Sequence, residues 1–278
     1  MFFSFHAPCS VSAGHPHRQH LIKIPTKIQY GNFRTERIVC SPKSTTSWRA
    51  AIITKGDGSL NAEFHKPPTH ELVYRKIREM ILFGELAPGQ AVTIQGLVTG
   101  LEAGMTPVRE AIRRLTAEGA LQFQGNRRVC VPELTLAQLD ELAFARQSIE
   151  PQLAFLAAQK VTPAMISKLE AIDDSLNAAV RRGDVKAYLE HNHRFHTTLY
   201  EQAQAGILFA IAQMLLLRGG PSLRVVCGRL GTDGLPDKHL QALAALRAGS
   251  PEAVAEAIRD DVNQGIEQIR MTLQATSV

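Results

Sequence analysis

The chain has 278 residues, of which 45% are hydrophobic and 21% charged. This composition supports one or two buried cores and excludes both a mini-protein and a wholly disordered chain. No run approaches the roughly 18 consecutive apolar residues of a membrane span, because the richest stretch, 207–217, is interrupted by Gln213 and followed by Arg218. The four cysteines lie far apart in sequence, which excludes a zinc knuckle and favours a reducing compartment. We therefore predict a cytoplasmic protein with no membrane partner.

The charge is distributed unevenly along the chain. Residues 1–55 carry eight basic side chains and one acidic one, whereas residues 133–278 carry fourteen basic and seventeen acidic side chains. Residues 66–132 carry nine basic and six acidic side chains. The net charge of +5 is therefore set by the N-terminal tail, and residues 66–132 are the one segment that combines a positive balance with the pattern of a folded DNA-binding unit.

The N-terminal tail, residues 1–65, shows neither helical nor strand periodicity, and we predict that it is disordered. Its Arg, Lys and Ser content with few acids is also typical of a transit peptide. The apolar opening is too short for a secretory signal. We favour an over-extended start site, with translation beginning near Leu60.

Residues 66–132 have the pattern of a small helical unit that ends in a hairpin. Apolar residues recur at helical spacing in the first segment, which ends at Gly84. Gly125 and Asn126 supply a turn between two short β-like runs. The predicted elements are helices at 71–83, 95–101 and 107–118 and strands at 121–123 and 129–131.

The third helix carries a basic face that is available to a partner. We expect Thr106 to cap this helix and Pro107 to be its first residue, where the missing N–H is harmless. Arg109 and Arg113 then lie opposite an apolar face, and Arg127 with the neighbouring Arg128 lies at the hairpin tip. These features predict a winged helix-turn-helix whose third helix enters the major groove, while the wing arginines contact phosphates or the minor groove. The alternative is a solvated arginine surface with no partner.

These residues carry a family resemblance. The motif Thr-Pro-Val-Arg-Glu-Ala-Ile at 106–112, followed by Leu115 and Glu118-Gly119, resembles the N-terminal domain of GntR-family transcriptional regulators. The chain departs from the family at Gly104 and Met105, where a serine and often an arginine stand. The resemblance implies that Arg109 and Thr106 contact DNA, and it places Gln95 where some members have a phosphate-contacting arginine.

The pattern of residues 133–278 predicts about six amphipathic helices separated by capping signals. Such a bundle can bind ligands between facing helices. The predicted boundaries are an N-cap at Thr135, a helix from Thr162-Pro163 to Arg182-Gly183, a helix from Asp184 to about Glu201, a helix end at Gly219-Gly220-Pro221, a helix from Asp237 to Arg247 and a last helix from Ser250-Pro251 to about Leu273.

Four polar residues of this segment are candidate metal ligands. Asn192 and His196 are four apart and share a helix face, while His239 and Asp261 lie on two later helices. Two imidazoles, one carboxylate and one amide oxygen would suit zinc, nickel or manganese. The alternative is that each histidine is a hydrogen-bonded core residue.

Residues 136–269 resemble the FCD ligand-binding domain of the FadR-like branch of the same family. The resemblance implies metal binding through an Asp-x-x-Phe-His motif and two later histidines. Here Asn192 replaces the aspartate and Asp261 replaces the last histidine, so each position keeps a donor. Arg146 and Glu150 match an arginine and a glutamate common in the first helix of this domain. Arg146 could pair with an effector carboxylate or form a structural ion pair. We expect His191 and His193 to be surface residues.

The sequence therefore predicts a mainly α protein that regulates transcription and is not an enzyme. We expect a homodimer that binds a palindromic double-stranded operator, releases it when a small organic acid binds, and so acts as a repressor. One alternative is a metal-responsive regulator without an organic effector. Another is a helical metalloenzyme that uses two histidines and Asp261, but its catalytic motifs are missing.

Overall fold

The computed structural model describes residues 69–125, 128–230 and 238–276. Within those residues the chain is mainly α-helical, and the predicted fold class is confirmed. The predictions for the N-terminal tail lie outside the described residues. The elements are α1 (Thr69–Leu82), β1 (Ala91–Thr93), α2 (Ile94–Gly100), α3 (Met105–Ala117), β2 (Gln122–Phe123), β3 (Arg128–Cys130), α4 (Leu136–Ala158), α5 (Pro163–Arg181), α6 (Val185–Glu201), α7 (Gly206–Leu230), α8 (Lys238–Ala248) and α9 (Pro251–Thr276).

The first six elements form a winged helix. Helices α1 to α3 pack around a shared apolar core, and the strands form an antiparallel sheet of order β1-β3-β2. The sequence did not predict β1, in which Ala91 pairs with Cys130 and Thr93 pairs with Arg128. Three residues are too few to show the alternation that identifies a strand, so β1 forms because β3 offers it an edge.

Helix α3 begins two residues earlier than predicted, and Thr106 is not its cap. The N-cap is Gly104, which has an extended backbone and no side-chain cap, and Val108 N–H donates to the Gly104 carbonyl at 3.3 Å. Pro107 is the third helical residue. It is accommodated there because the first N–H groups of a helix have no intrahelical acceptor.

Helices α4 to α9 form the predicted bundle of six helices. Thr135 caps α4 as predicted, and its side chain and that of Gln138 bind each other's backbone N–H groups in a capping box. Thr162 caps α5 by accepting from Met165 N–H, and Asp184 caps α6 in the same way. Each boundary was predictable because its capping side chain binds an N–H group only two or three residues away.

The predicted helix end at Gly219-Gly220-Pro221 is wrong, because α7 continues through it to Leu230. A Cβ atom at Gly220 would lie 3.0 Å from the Leu82 carbonyl oxygen. These small residues therefore allow α1 to approach α7 closely, and they do not mark a turn. Residues 206–228 are the one segment of the described chain long and apolar enough to cross a membrane.

The apolar character of α7 is explained by its packing against both parts of the chain. Leu217 belongs to the core of the winged helix, while Ala212 and Val226 belong to the core of the bundle. The side chains of Arg218 and Arg224 lie against Gly119 and Gly84, respectively. Both glycines have a positive φ and end a helix of the winged-helix core.

The connection between the winged helix and α4 is short and attached to the sheet. The Val131 carbonyl accepts a hydrogen bond from Gly89 N–H at 2.9 Å, and Val131 forms a β-bridge with Pro88. The Glu133 side chain lies against Gly89. Helix α4 begins only two residues after Leu134.

Candidate nucleic-acid interface and metal centre

Helix α3 presents one buried face and one exposed polar face. Thr106, Arg109 and Arg113 are all exposed. The Arg113 guanidinium donates to the Glu110 carboxylate at 2.8 Å, whereas no described residue accepts a hydrogen bond from the Arg109 guanidinium. The buried residues on the opposite face are Val108, Ala111, Ile112 and Leu115.

The neighbouring Arg114 has a different role, which the sequence analysis missed. Its guanidinium lies 3.6 Å from the centre of the Tyr74 ring and donates to Glu71 at 3.0 Å and to Glu118 at 3.2 Å. Burial, and then the Glu118 carboxylate, raise the pKa of Tyr74, so its hydroxyl keeps its proton and donates to Glu118. Arg114 therefore joins α1 to α3.

The remaining candidate DNA contacts lie beside α3. Gln95 is exposed in the first turn of α2, and Arg128 is exposed at the start of β3. Arg127 lies outside the described residues. The turn before it contains Gly125, whose φ of 69° is a conformation that glycine adopts readily.

Inside the bundle, the structure brings together three of the four candidate metal ligands. His196 from α6, His239 from α8 and Asp261 from α9 present ligand atoms within 4.8 Å of one another. His196 Nε2 lies 3.4 Å from His239 Nε2 and 3.1 Å from Asp261 Oδ2. Both imidazoles are buried. Asn192 lies one turn before His196 and is half-buried, with no hydrogen bond to these groups among the described contacts.

The three converging atoms need a proton or a cation between them. Burial opposes ionisation of Asp261, but its hydrogen bond with His196 and the nearby positive charges, including Arg146, lower its pKa to about 2. The carboxylate is therefore ionised at neutral pH. A proton on Nε2 of His196 can satisfy it, and a divalent cation can replace that proton. Two imidazole nitrogens and a carboxylate form a donor set that fits zinc, nickel or manganese.

A layer of buried polar residues surrounds these ligands. Tyr200 lies between His196 Nδ1, at 3.1 Å, and Glu150 Oε2, at 2.7 Å. Burial, and then the Glu150 carboxylate, raise the pKa of Tyr200 well above its usual value. Glu150 also forms an ion pair with Arg146, so Arg146 has the structural partner that the sequence left as one alternative.

His239 is held by Phe195 of the motif and by Asp173, which the sequence analysis did not identify. Asp173 Oδ1 lies 2.9 Å from His239 Nδ1, and the Phe195 ring stacks on the imidazole at 3.9 Å. Asp173 is 66 positions from His239 and belongs to no motif, so only the fold reveals this contact. Tyr200 was detectable in principle, because it lies one helical turn after His196.

His193, which we expected to be a surface residue, is half-buried. Its ring packs edge-on against Phe83 of the winged helix with centroids 6.0 Å apart. Burial, and then the charge of Arg78, lower its pKa to about 3, so the imidazole is neutral. Adjacent faces of α6 therefore contact the winged helix through His193 and the candidate metal centre through His196.

Comparison with known protein families yields two matches. Residues 69–131 match the model for bacterial regulatory proteins of the gntR family, and residues 141–264 match the FCD domain. These ranges correspond to the winged helix and to most of the bundle.

Individual relatives agree with these matches. The chain is 28% identical over 198 residues to the HTH-type transcriptional regulator McbR of Escherichia coli, covering 70% of this chain and 89% of that protein. It is 24% identical to a probable D-xylose utilization operon transcriptional repressor of Paenarthrobacter nicotinovorans, covering 70% of this chain and 87% of that protein. The solved structure of Escherichia coli McbR/YncC has 26% identity and a TM-score of 0.71, covering 74% of this chain and 99% of that one.

Proposed function

Because the chain belongs to the GntR family of transcriptional regulators, in the branch with an FCD domain, we propose that α3 and the wing bind a DNA operator under the control of the helical bundle. We place the domain boundary between residues 132 and 133, with residues 66–132 binding DNA and residues 133–278 binding the effector. The single observation that carries the proposal is the exposed Arg109 near the start of a helix whose opposite face is fully buried.

The roles of the candidate DNA contacts follow from their positions. Arg109 and Thr106 lie in the first turns of α3, the part of a recognition helix that reaches base edges. Arginine is the commonest specific reader of guanine. Gln95, Arg113 and Arg128 surround this position and are suited to phosphate contacts, which fix the register on the duplex. Arg127 has the same proposed role from the wing.

The bundle is proposed to bind a divalent metal through His196, His239 and Asp261, with Asn192 as a fourth donor. Such a metal offers open coordination positions that a small organic acid can occupy. The acid would favour one arrangement of the two DNA-binding units of a homodimer, and this difference in affinity is what couples the sites. Relatives that are named as repressors support repression, and we propose release of the operator as the response to the acid.

Two measurements on the full chain test this function. Selection from a random duplex library gives the operator, and fluorescence anisotropy then compares wild type with Arg109→Ala. Thermal shift with zinc, nickel or manganese, each with and without a panel of mono-, di- and hydroxycarboxylic acids, tests the bundle. A shift that requires both metal and acid supports an effector acting through the metal. A shift with metal alone supports the metal-responsive alternative, and no shift with any metal contradicts the metal centre.

A further inference from the structure

The direction of each hydrogen bond around His196 follows from one carboxylate. Glu150 is fully buried and accepts hydrogen bonds from the Arg146 guanidinium at both of its oxygens. It also accepts the hydroxyl proton of Tyr200 at 2.7 Å. A tyrosine hydroxyl has one proton, so toward His196 the Tyr200 oxygen can only accept. Nδ1 of His196 must therefore carry a proton, whether or not Nε2 shares a second one with Asp261.

A second carboxylate determines the proton position on His239. Asp173 is 2% exposed and accepts a hydrogen bond from Asn177 Nδ2 at 3.1 Å through Oδ2. Its other oxygen lies 2.9 Å from His239 Nδ1. A carboxylate offers only acceptors, so Nδ1 of His239 carries the proton in this contact.

Both assignments have the same consequence at the candidate metal centre. When Nδ1 carries a proton on both imidazoles, each ring stays neutral if a cation displaces a proton from Nε2, and Nε2 can then donate its lone pair to that cation. These two nitrogens lie 3.4 Å apart and beside the Asp261 carboxylate. The opposite tautomer of either histidine has no proton on Nδ1, so it would keep its only proton on Nε2, in the same space, and exclude a cation.

We propose that Tyr200 and Asp173 are positioning residues that fix the tautomers of His196 and His239, so that both Nε2 atoms are presented to a divalent metal ion. Glu150 and Arg146 hold Tyr200, and Asn177 holds Asp173. Arg146 is thereby part of the support of the centre. This inference rests on the proposed metal binding for its purpose, but the tautomers themselves are a property of the metal-free protein.

The first experiment measures the tautomers without any metal. The full chain, labelled with 15N-histidine, is examined by long-range 1H–15N NMR in mildly alkaline buffer, where ordinary imidazoles are neutral. His196→Gln and His239→Gln identify the two signals among the ten histidines. We expect both residues to carry the proton on Nδ1. A wild-type His196 or His239 whose Nδ1 carries no proton overturns the proposal.

Variants separate the two chains of hydrogen bonds. Tyr200→Phe should release the tautomer of His196 alone, and Asp173→Asn that of His239 alone. Glu150→Gln offers an amide N–H to Tyr200, which turns the Tyr200 proton toward His196 and should move the imidazole proton to Nε2. Glutamine has nearly the same size as glutamate, so Glu150→Gln tests the inference even where Tyr200→Phe fails to fold.

Metal affinity provides the second readout, with zinc as the probe in a chelator competition. Loss of an outer-layer hydrogen bond typically weakens metal binding 10- to 100-fold, and we expect this range for Tyr200→Phe and Asp173→Asn. Tyr74→Phe is the matched control, because it removes a tyrosine–glutamate hydrogen bond of the winged helix at 2.9 Å. It should leave zinc affinity unchanged.

The outcomes separate this inference from the proposed function. If the wild type and the variants bind zinc equally well, the positioning role is overturned, but the proposal of a metal centre is supported. Wild type that shows Nδ1 tautomers but binds no zinc, nickel or manganese contradicts the metal centre, and it then removes the stated purpose of Tyr200 and Asp173.

Discussion

Leu217→Ala tests whether the winged helix is completed by a residue of the bundle. Leu217 lies on α7, is 1% exposed and packs into the core of α1 to α3. Removal of three buried carbons at about 0.8 kcal/mol each costs about 2.4 kcal/mol in transfer free energy. The cavity left behind raises the loss to roughly 3–5 kcal/mol, a large part of a typical domain stability of about 5–15 kcal/mol.

Urea unfolding of the full chain, followed by circular dichroism, measures this loss in the free energy of unfolding. Hydrogen exchange then locates it, and we expect faster exchange of α1 and α3 amides than in the wild type. Val226→Ala is the control, because Val226 is on the same helix but faces the bundle core. It should increase exchange in α4 and α9 first. A loss below about 1 kcal/mol for Leu217→Ala, or unchanged exchange in α1 and α3, refutes the placement of Leu217.

Three further substitutions test single features. Arg109→Ala should weaken operator binding by about 1–3 kcal/mol, whereas the control Arg75→Ala on α1 should not. Fluorescence anisotropy measures the affinity of each variant for the operator and for a random duplex. An unchanged preference for the operator in Arg109→Ala would mean that other residues recognise it. Gly119→Ala should lower the melting temperature more than Gly249→Ala. Both glycines have a positive φ, but only a Cβ atom at Gly119 would meet an arginine side chain, that of Arg218. Equal losses would show that the contact between Gly119 and Arg218 is unimportant for stability. Thr135→Ala should cost about 1 kcal/mol of stability and Thr135→Ser much less, since serine keeps the capping oxygen, and equal losses would contradict the capping box.

Features that depend on neighbouring residues were predictable from the sequence. Thr135, Thr162 and Asp184 cap helices where expected, because a cap involves only the next two or three residues. The i, i+4 relation placed Asn192 and His196 on one helix face for the same reason. The resemblance to known families then predicted that His239 and Asp261 come close to His196.

Features that depend on distant packing were not predictable. Gly219-Gly220-Pro221 is locally a helix end, but α7 continues because α1 packs against the small residues. β1 exists only because β3 pairs with it. In the same way, Asp173 and Tyr200 acquire their contacts with the histidines from the assembly of the bundle, and no local spacing indicates them.

The short connection between the winged helix and α4 restricts how a signal can reach DNA. Residues 131–135 leave too little chain for a hinge, and the sheet already holds Val131. A change inside the bundle must therefore rotate the winged helix together with the start of α4. In a dimer, the orientation of this helix would then set the separation of the two operator half-sites. An insertion of a few glycines after Pro132 would loosen only this attachment, because Leu217 of α7 would still hold the winged helix from the other side.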